Sequence, residues 1–147
     1  MQGASNNHGR SKRLSAPGSG DHAGDQPFIV LGDLNDDLET DAAGQTGIDE
    51  LVEWDEIEDV ISRRASDDRW THFFRPRVPG PDPVFYHQLD YVLVSRSLAQ
   101  ASGGVPDIIR KGLARRAALY TGPRFETVGL DKPVASDHCP VVFEVVL

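Results

Sequence analysis

The chain has 147 residues, a formal net charge of −8, and 39% hydrophobic and 7% aromatic content, enough apolar material for the core of one folded domain. No stretch approaches the roughly 18 apolar residues that a spanning helix needs, and residues 1–17 lack the apolar segment of a signal peptide; the expectation is no membrane span, with localisation open and the cytoplasm as default. The single cysteine, Cys139, excludes an internal disulfide framework and a thiolate metal cluster, and reads as a small core residue.

Residues 1–26 are rich in Ser, Gly, Asn and Ala, carry a basic trio (Arg10, Lys12, Arg13) and show no apolar period, so they read as a flexible lead-in. Ordered structure is expected from Pro27. Phe28-Ile29-Val30-Leu31 is a continuous apolar run ended by Gly32, the pattern of a strand buried on both faces, with Asp33 and Asn35 at its C-terminal mouth. Residues 46–52 offer a helix start whose neighbouring acids suit a helix N-terminus. Residues 71–74 read as a strand, 75–83 as a proline-rich connector, 88–95 as a second buried strand, and 97–101 as a helical turn. A further strand is expected over 105–109 and a last one over 141–147, where Glu144 interrupts an apolar run. The pattern is mixed α and β without an internal repeat. His72, His87, Trp54 and Trp70 read as ordinary strand or core residues.

Three motifs carry chemistry. In Gly32-Asp33-Leu34-Asn35 a carboxylate and a carboxamide two residues apart project the same way if strand geometry persists. Asp33 then supplies an acceptor able to orient or deprotonate a water, and Asn35 a donor to a phosphoryl oxygen. An Asx turn after a strand is the alternative for that pair. In Ser136-Asp137-His138-Cys139-Pro140 the carboxylate suits a hard cation (Mg²⁺, Mn²⁺ or Ca²⁺), while one imidazole without a second His or Cys in register argues against structural zinc. His138 suits proton handling or phosphate binding once something fixes its tautomer; a surface turn is the alternative. Asp90, inside Leu89-Asp90-Tyr91-Val92-Leu93-Val94, is costly to bury unpaired and needs a partner, either His138 or a nearby Arg.

Charge is uneven: residues 1–20 hold three basic and no acidic side chains, 21–68 sixteen acidic against two basic, and 69–147 seven acidic against ten basic. A polyanion would be repelled by the acidic centre unless a divalent cation intervened, whereas the basic C-terminal part could meet phosphates directly. Arg110, Lys111, Arg115 and Arg116 are candidates for such contacts, with a solvated charged face as the alternative.

These stretches, in this order and spacing, resemble the endonuclease/exonuclease/phosphatase superfamily, which includes deoxyribonuclease I-like nucleases, from about Pro27 to Leu147. The resemblance implies an α+β fold, part of a four-layer α/β/β/α sandwich with mostly antiparallel or mixed sheets, its N-terminal half absent. It implies that Asp33 activates the attacking water, Asn35 and His138 hold the phosphate, Asp90 orients His138, and Asp137 helps bind the metal, in metal-assisted hydrolysis of a phosphate ester. The substrate class stays open among nucleic acid, lipid headgroup and inositol phosphate. Asn6-Asn7-His8 is faintly similar to an Asn-x-His of the family, with a tail residue as the default for His8. A half-sandwich leaves a sheet face uncovered, which implies self-association or a partner chain. A non-catalytic remnant that binds a partner or a phosphate ligand is the competing reading.

Overall fold

The computed structural model describes residues 26–38, 47–76 and 83–147. In chain order the elements are strand β1 (Ile29–Asp33), helix α1 (Asp49–Val52), β2 (Ile57–Asp59), 3-10 turns at Val60–Arg63 and Ser66–Asp68, β3 (His72–Phe74), β4 (Phe85–His87), β5 (Asp90–Ser95), α2 (Arg96–Ala101), β6 (Asp107–Ile108) and β7 (Val141–Val142). The strands form three antiparallel sheets: β1-β5-β2, β3-β4 and β6-β7. The fold is α+β with short elements. The expected lead-in and His8 fall outside the described residues.

Strand β5 organises the core because its apolar run serves two faces, side chains alternating with period two. Tyr91 and Leu93 pack with Ile48 and Ile57 on one side. Val94 packs with Val60, Leu98 and Ala99 on the other, joined by Phe143 and Val145 from the chain end. The alternation after β7 explains Glu144: Phe143 and Val145 turn inward, and Val142, Glu144 and Val146 face solvent. The expected strand over 141–147 is therefore paired only at Val141–Val142, and that over 105–109 only at Asp107–Ile108.

The expectation for β1 is corrected. Its run is as apolar as that of β5, yet Ile29 and Val30 are exposed and Leu31 is 68% exposed, because β1 is an edge strand paired to β5 alone among the described residues. A continuous apolar run signals two covered faces only when both neighbours are present.

Strands β2 and β4, absent from the sequence expectations, are three residues each. Helix α1 begins where expected, and the turn leading into it is held by a carboxylate from the loop after β1: Asp36 Oδ2 accepts from the Gly47 and Ile48 amides. Acid thus supports the N-terminus through hydrogen bonds as well as the helix dipole.

The β3-β4 hairpin is two-faced. Phe73 and Tyr86 point into a third core with Trp70, Leu113, Ala117 and Cys139. The alternate residues His72, Phe74, Phe85 and His87 lie on the other face. Cys139 is buried as expected, and that burial pushes its thiol pKa up to about 12.

Thr71, fully buried, ties the hairpin to the sheet and to the His138 loop. Its Oγ1 accepts from the Leu89 and Asp90 amides at 3.1 and 3.0 Å, its amide donates to His87 O, and its carbonyl accepts from the Cys139 amide. Thr71→Val keeps the shape but leaves two amides without their acceptor. Urea titration should show stability reduced by about 2 kcal/mol, with Thr71→Ser retaining most of it; equal stability of all three proteins would show that the hydroxyl is not the tie.

Candidate active site

The antiparallel register of β1 and β5 sets Asp33 directly opposite Asp90. Facing like charges on adjacent strands are unfavourable, and the structure answers with an imidazole. His138, delivered by a loop far along the chain, places Nδ1 2.9 Å from Asp90 Oδ2 and Nε2 3.9 Å from Asp33 Oδ2. Asp90 thus has the histidine, of the two partners considered for it. The loop is held as though it were a strand beside β3: Phe73 N donates to Asp137 O, Cys139 N to Thr71 O, and His72 bridges to His138.

Burial alone would depress the His138 pKa. The hydrogen bond and charge of Asp90, with the nearby charges of Asp33 and Asp137, outweigh it and hold the ring above its usual value of 6.5. The protonated ring directs Nδ1–H to Asp90 and leaves Nε2–H for a ligand.

Asp33 and Asn35 do form an Asx turn: the Asn35 amide donates to Asp33 Oδ1 at 3.0 Å. Asn35 has φ 54°, in the left-handed region that Asn tolerates, so strand geometry does not persist to residue 35 and the expected parallel projection of the two side chains is replaced by a turn. The turn occupies Oδ1 of Asp33 and leaves Oδ2 on the His138 side. Beside these groups lies an open cleft of about 320 Å³, lined among others by Leu31, Gly32, Asp90, His138 and Pro140. A larger groove of about 510 Å³ is lined among others by Phe74, Arg75, Asp131, Lys132, Ser136 and Asp137, with Arg75 paired to Asp131 at 3.2 Å.

The basic residues are placed differently from expectation. Arg110 is 6% exposed; its guanidinium lies 4.0 Å from the Trp70 ring centre and donates to Asp68 Oδ1, Asp68 O and Trp70 O. It is a structural peg rather than a group turned to a phosphate. Arg115 donates to Val128 O, and Arg116 is bidentate on Asp131. Lys111 is exposed.

Sequence reading missed three contributors. Thr71 carries the backbone of Asp90 and Cys139, as above. The His72 ring lies 4.6 Å from that of His138, and His72 in turn stands 6.0 Å from His87, whose Nδ1 pairs with Asp37 Oδ2 at 2.9 Å. Burial and the neighbouring imidazoles hold the His72 pKa below its usual value, while that of His138 beside it is held above. The period-two spacing of His72 with Phe74 and of Phe85 with His87 was the available signal.

Among the described residues no three carboxylate, imidazole or thiolate groups converge to hold a metal ion. Asp137 is exposed and lies close to the site.

The model of the endonuclease/exonuclease/phosphatase family matches residues 6–138, and the chain belongs to that family. The match begins inside the segment read as a lead-in. Membership makes the protein a hydrolase of the nuclease and phosphatase kind. Comparison with curated proteins and with solved structures gives no match.

Because folding raises the His138 pKa, the ring adds stability below the unfolded value of 6.5, and that stability is lost as pH rises through the folded value. In the metal-free protein, NMR of the ring should give a midpoint above 6.5 that falls in Asp90→Asn. The stability difference between the two proteins should be largest in mildly acidic buffer and shrink above neutrality; a difference flat with pH would show that the pair is not charge-coupled.

Proposed function

We propose that the chain is a divalent-metal-dependent phosphodiesterase of the endonuclease kind, hydrolysing its substrate by water attack on phosphorus. The observation that carries this is the placement of His138 between two carboxylates that face each other across β1 and β5. Such an arrangement supplies a base and a cation on one site, the pairing that phosphoryl transfer to water requires.

In this reading Asp33 Oδ2 orients the water and takes its proton as the new oxygen–phosphorus bond forms. His138 Nε2–H and the side-chain carboxamide of Asn35 hold the phosphoryl oxygens, on which negative charge grows as the ester bond breaks. The leaving oxygen departs with the electrons of the broken ester bond and takes a proton from solvent water. Asp90 keeps the imidazole charged and correctly aimed. Exposed Lys111 is kept as a substrate contact, and Arg110 is not, since it is buried against Trp70 with both Nη groups bonded to Asp68 and Trp70. We assign Asp137 as the carboxylate nearest a hard divalent ion, Mg²⁺ or Mn²⁺. Such an ion takes one or two carboxylates and completes its shell with water and substrate oxygens; when bound it supplies charge stabilisation at the phosphoryl group.

For the architecture, we read the three sheets as part of a larger four-layer sandwich. The support is the edge strand β1, whose apolar Ile29, Val30 and Leu31 are open to solvent. Such an edge is where another strand, a partner chain or a second copy would pair.

Bis(4-nitrophenyl) phosphate and plasmid DNA, each with Mg²⁺, Mn²⁺ or EDTA, test the activity. Expected is metal-dependent turnover that falls by about 10²-fold or more in both His138→Ala and Asp33→Asn, with Asp137→Asn raising the metal concentration required. A folded chain that turns over neither substrate would sink the catalytic reading and favour the binding module.

A further inference from the structure

The face of the β3-β4 hairpin turned away from the core is paved with rings. Cross-strand register places His72 opposite His87 and Phe74 opposite Phe85. The ring planes are nearly parallel: His72 and Phe74 are 6.1 Å apart at 16°, His72 and His87 6.0 Å at 24°, and Phe85 and His87 5.9 Å at 13°. Phe74 and Phe85 are 46% and 42% exposed. The tile nearest the site, His72, touches the His138 ring at 4.6 Å, and His87 is fixed by its bond to Asp37. The paving is thus continuous with the catalytic constellation, and its inner half is held in place while its outer half faces solvent.

Nothing in the packing of the core asks for this. Phe73 and Tyr86 fill the buried face, and an exposed face needs polar residues, not four rings. The Nδ1 atom of His72 is buried without a hydrogen-bond partner, a cost that a polar tile bonded to its surroundings would avoid. What these side chains share is a flat π surface. Flat surfaces of this kind stack nucleobases, and every base has such a face, but a duplex hides it within its own stack. Past Asp137, the groove beside the same hairpin edge is lined by Lys132 and by Arg75, the latter paired with Asp131; Lys132 is the cation it offers a phosphate backbone.

We infer that the His72, Phe74, Phe85 and His87 face is a stacking platform for bases of a single-stranded nucleic acid whose backbone passes His138. This deepens the phosphodiesterase reading by naming its substrate class, and it rests on that reading for the path of the strand. It also accounts for an acidic chain meeting a polyanion: stacking supplies affinity that net charge does not.

The probe is a short fluorescent oligothymidylate in low-salt buffer with EDTA, compared by anisotropy with an abasic strand of equal length and charge. Binding is read without turnover, so failure of catalysis and failure of the platform are separate results. The full chain should bind the base-bearing strand about tenfold more tightly than the abasic one, one stacked base being worth roughly 1–3 kcal/mol. Phe74→Leu and Phe85→Leu, both at half-exposed sites, should remove most of that preference, and Phe74→Trp should keep it. Equal affinity for the two strands, no measurable binding, or leucine variants that bind like the parent would overturn the platform. Hydrolysis without base preference would leave the phosphodiesterase standing and remove the platform alone.

Discussion

The structure depends on the pairing of β1 with β5, which forces two carboxylates into facing positions. Asp33 and Asp90 could each be accommodated singly, the one in a turn and the other on a strand. Together they create a concentration of negative charge at a sheet edge that only a cation relieves. His138 is that cation, and its ring gains charge from the same acids that need it. The relation is mutual: the carboxylates raise the pKa of the imidazole, and the imidazole sits between their facing charges. A site of this kind is therefore also a structural joint, and its chemistry follows from the way its strain is resolved.

Bringing His138 there takes a second set of contacts. The loop carrying it is bonded through its backbone to Phe73 and Thr71 on the hairpin side and to Ile109 beyond it. A loop held by three main-chain bonds behaves as a fixed strand, which is how a residue 48 positions from Asp90 keeps a hydrogen bond to it. Thr71 is the point where the sheet, the hairpin and this loop meet, so the position of the imidazole is set by a neutral, buried hydroxyl residue as much as by charge.

Arginine serves an unusual share of this fold. The elements are short and joined by irregular segments, which leaves many carbonyl groups outside regular ladders. Arg63 donates to the carbonyls of Ala99, Ser102 and Gly104, Arg64 to Asp68 and Pro106, Arg69 to Ser62 and Arg64, Arg96 to Asp55 and Ile57, and Arg124 to Ala117. The planar fork reaches two or three such oxygens at once. Asp68 shows the same logic from the other side: burial would raise its pKa, but Arg64 and Arg110 outweigh burial and lower it. The basic C-terminal half is accordingly basic for internal reasons, and its count of positive residues is a poor guide to what its surface offers a polyanion.

The three motifs stood out in the sequence because each is an apolar run broken by a group too polar to be there without a reason. Asp90 needed a partner on energetic grounds alone, and Cys139 belonged in the core by size and polarity. Strand β5 was legible too, since its apolar residues serve both faces. What sequence could not convey were the properties set by pairings between distant segments. Phe28 to Leu31 and Tyr91 to Val94 are equally apolar, and only sheet order makes one an edge and the other a centre. Arg110 and Lys111 are neighbours of like charge, and only the fold spends one on Trp70 and Asp68 and leaves the other exposed. His72 and His87 carry no signal beyond their spacing until the hairpin sets them flat beside His138. Local pattern records what a residue can do at its own position; which groups it meets is decided by long-range packing, and a site is made of meetings.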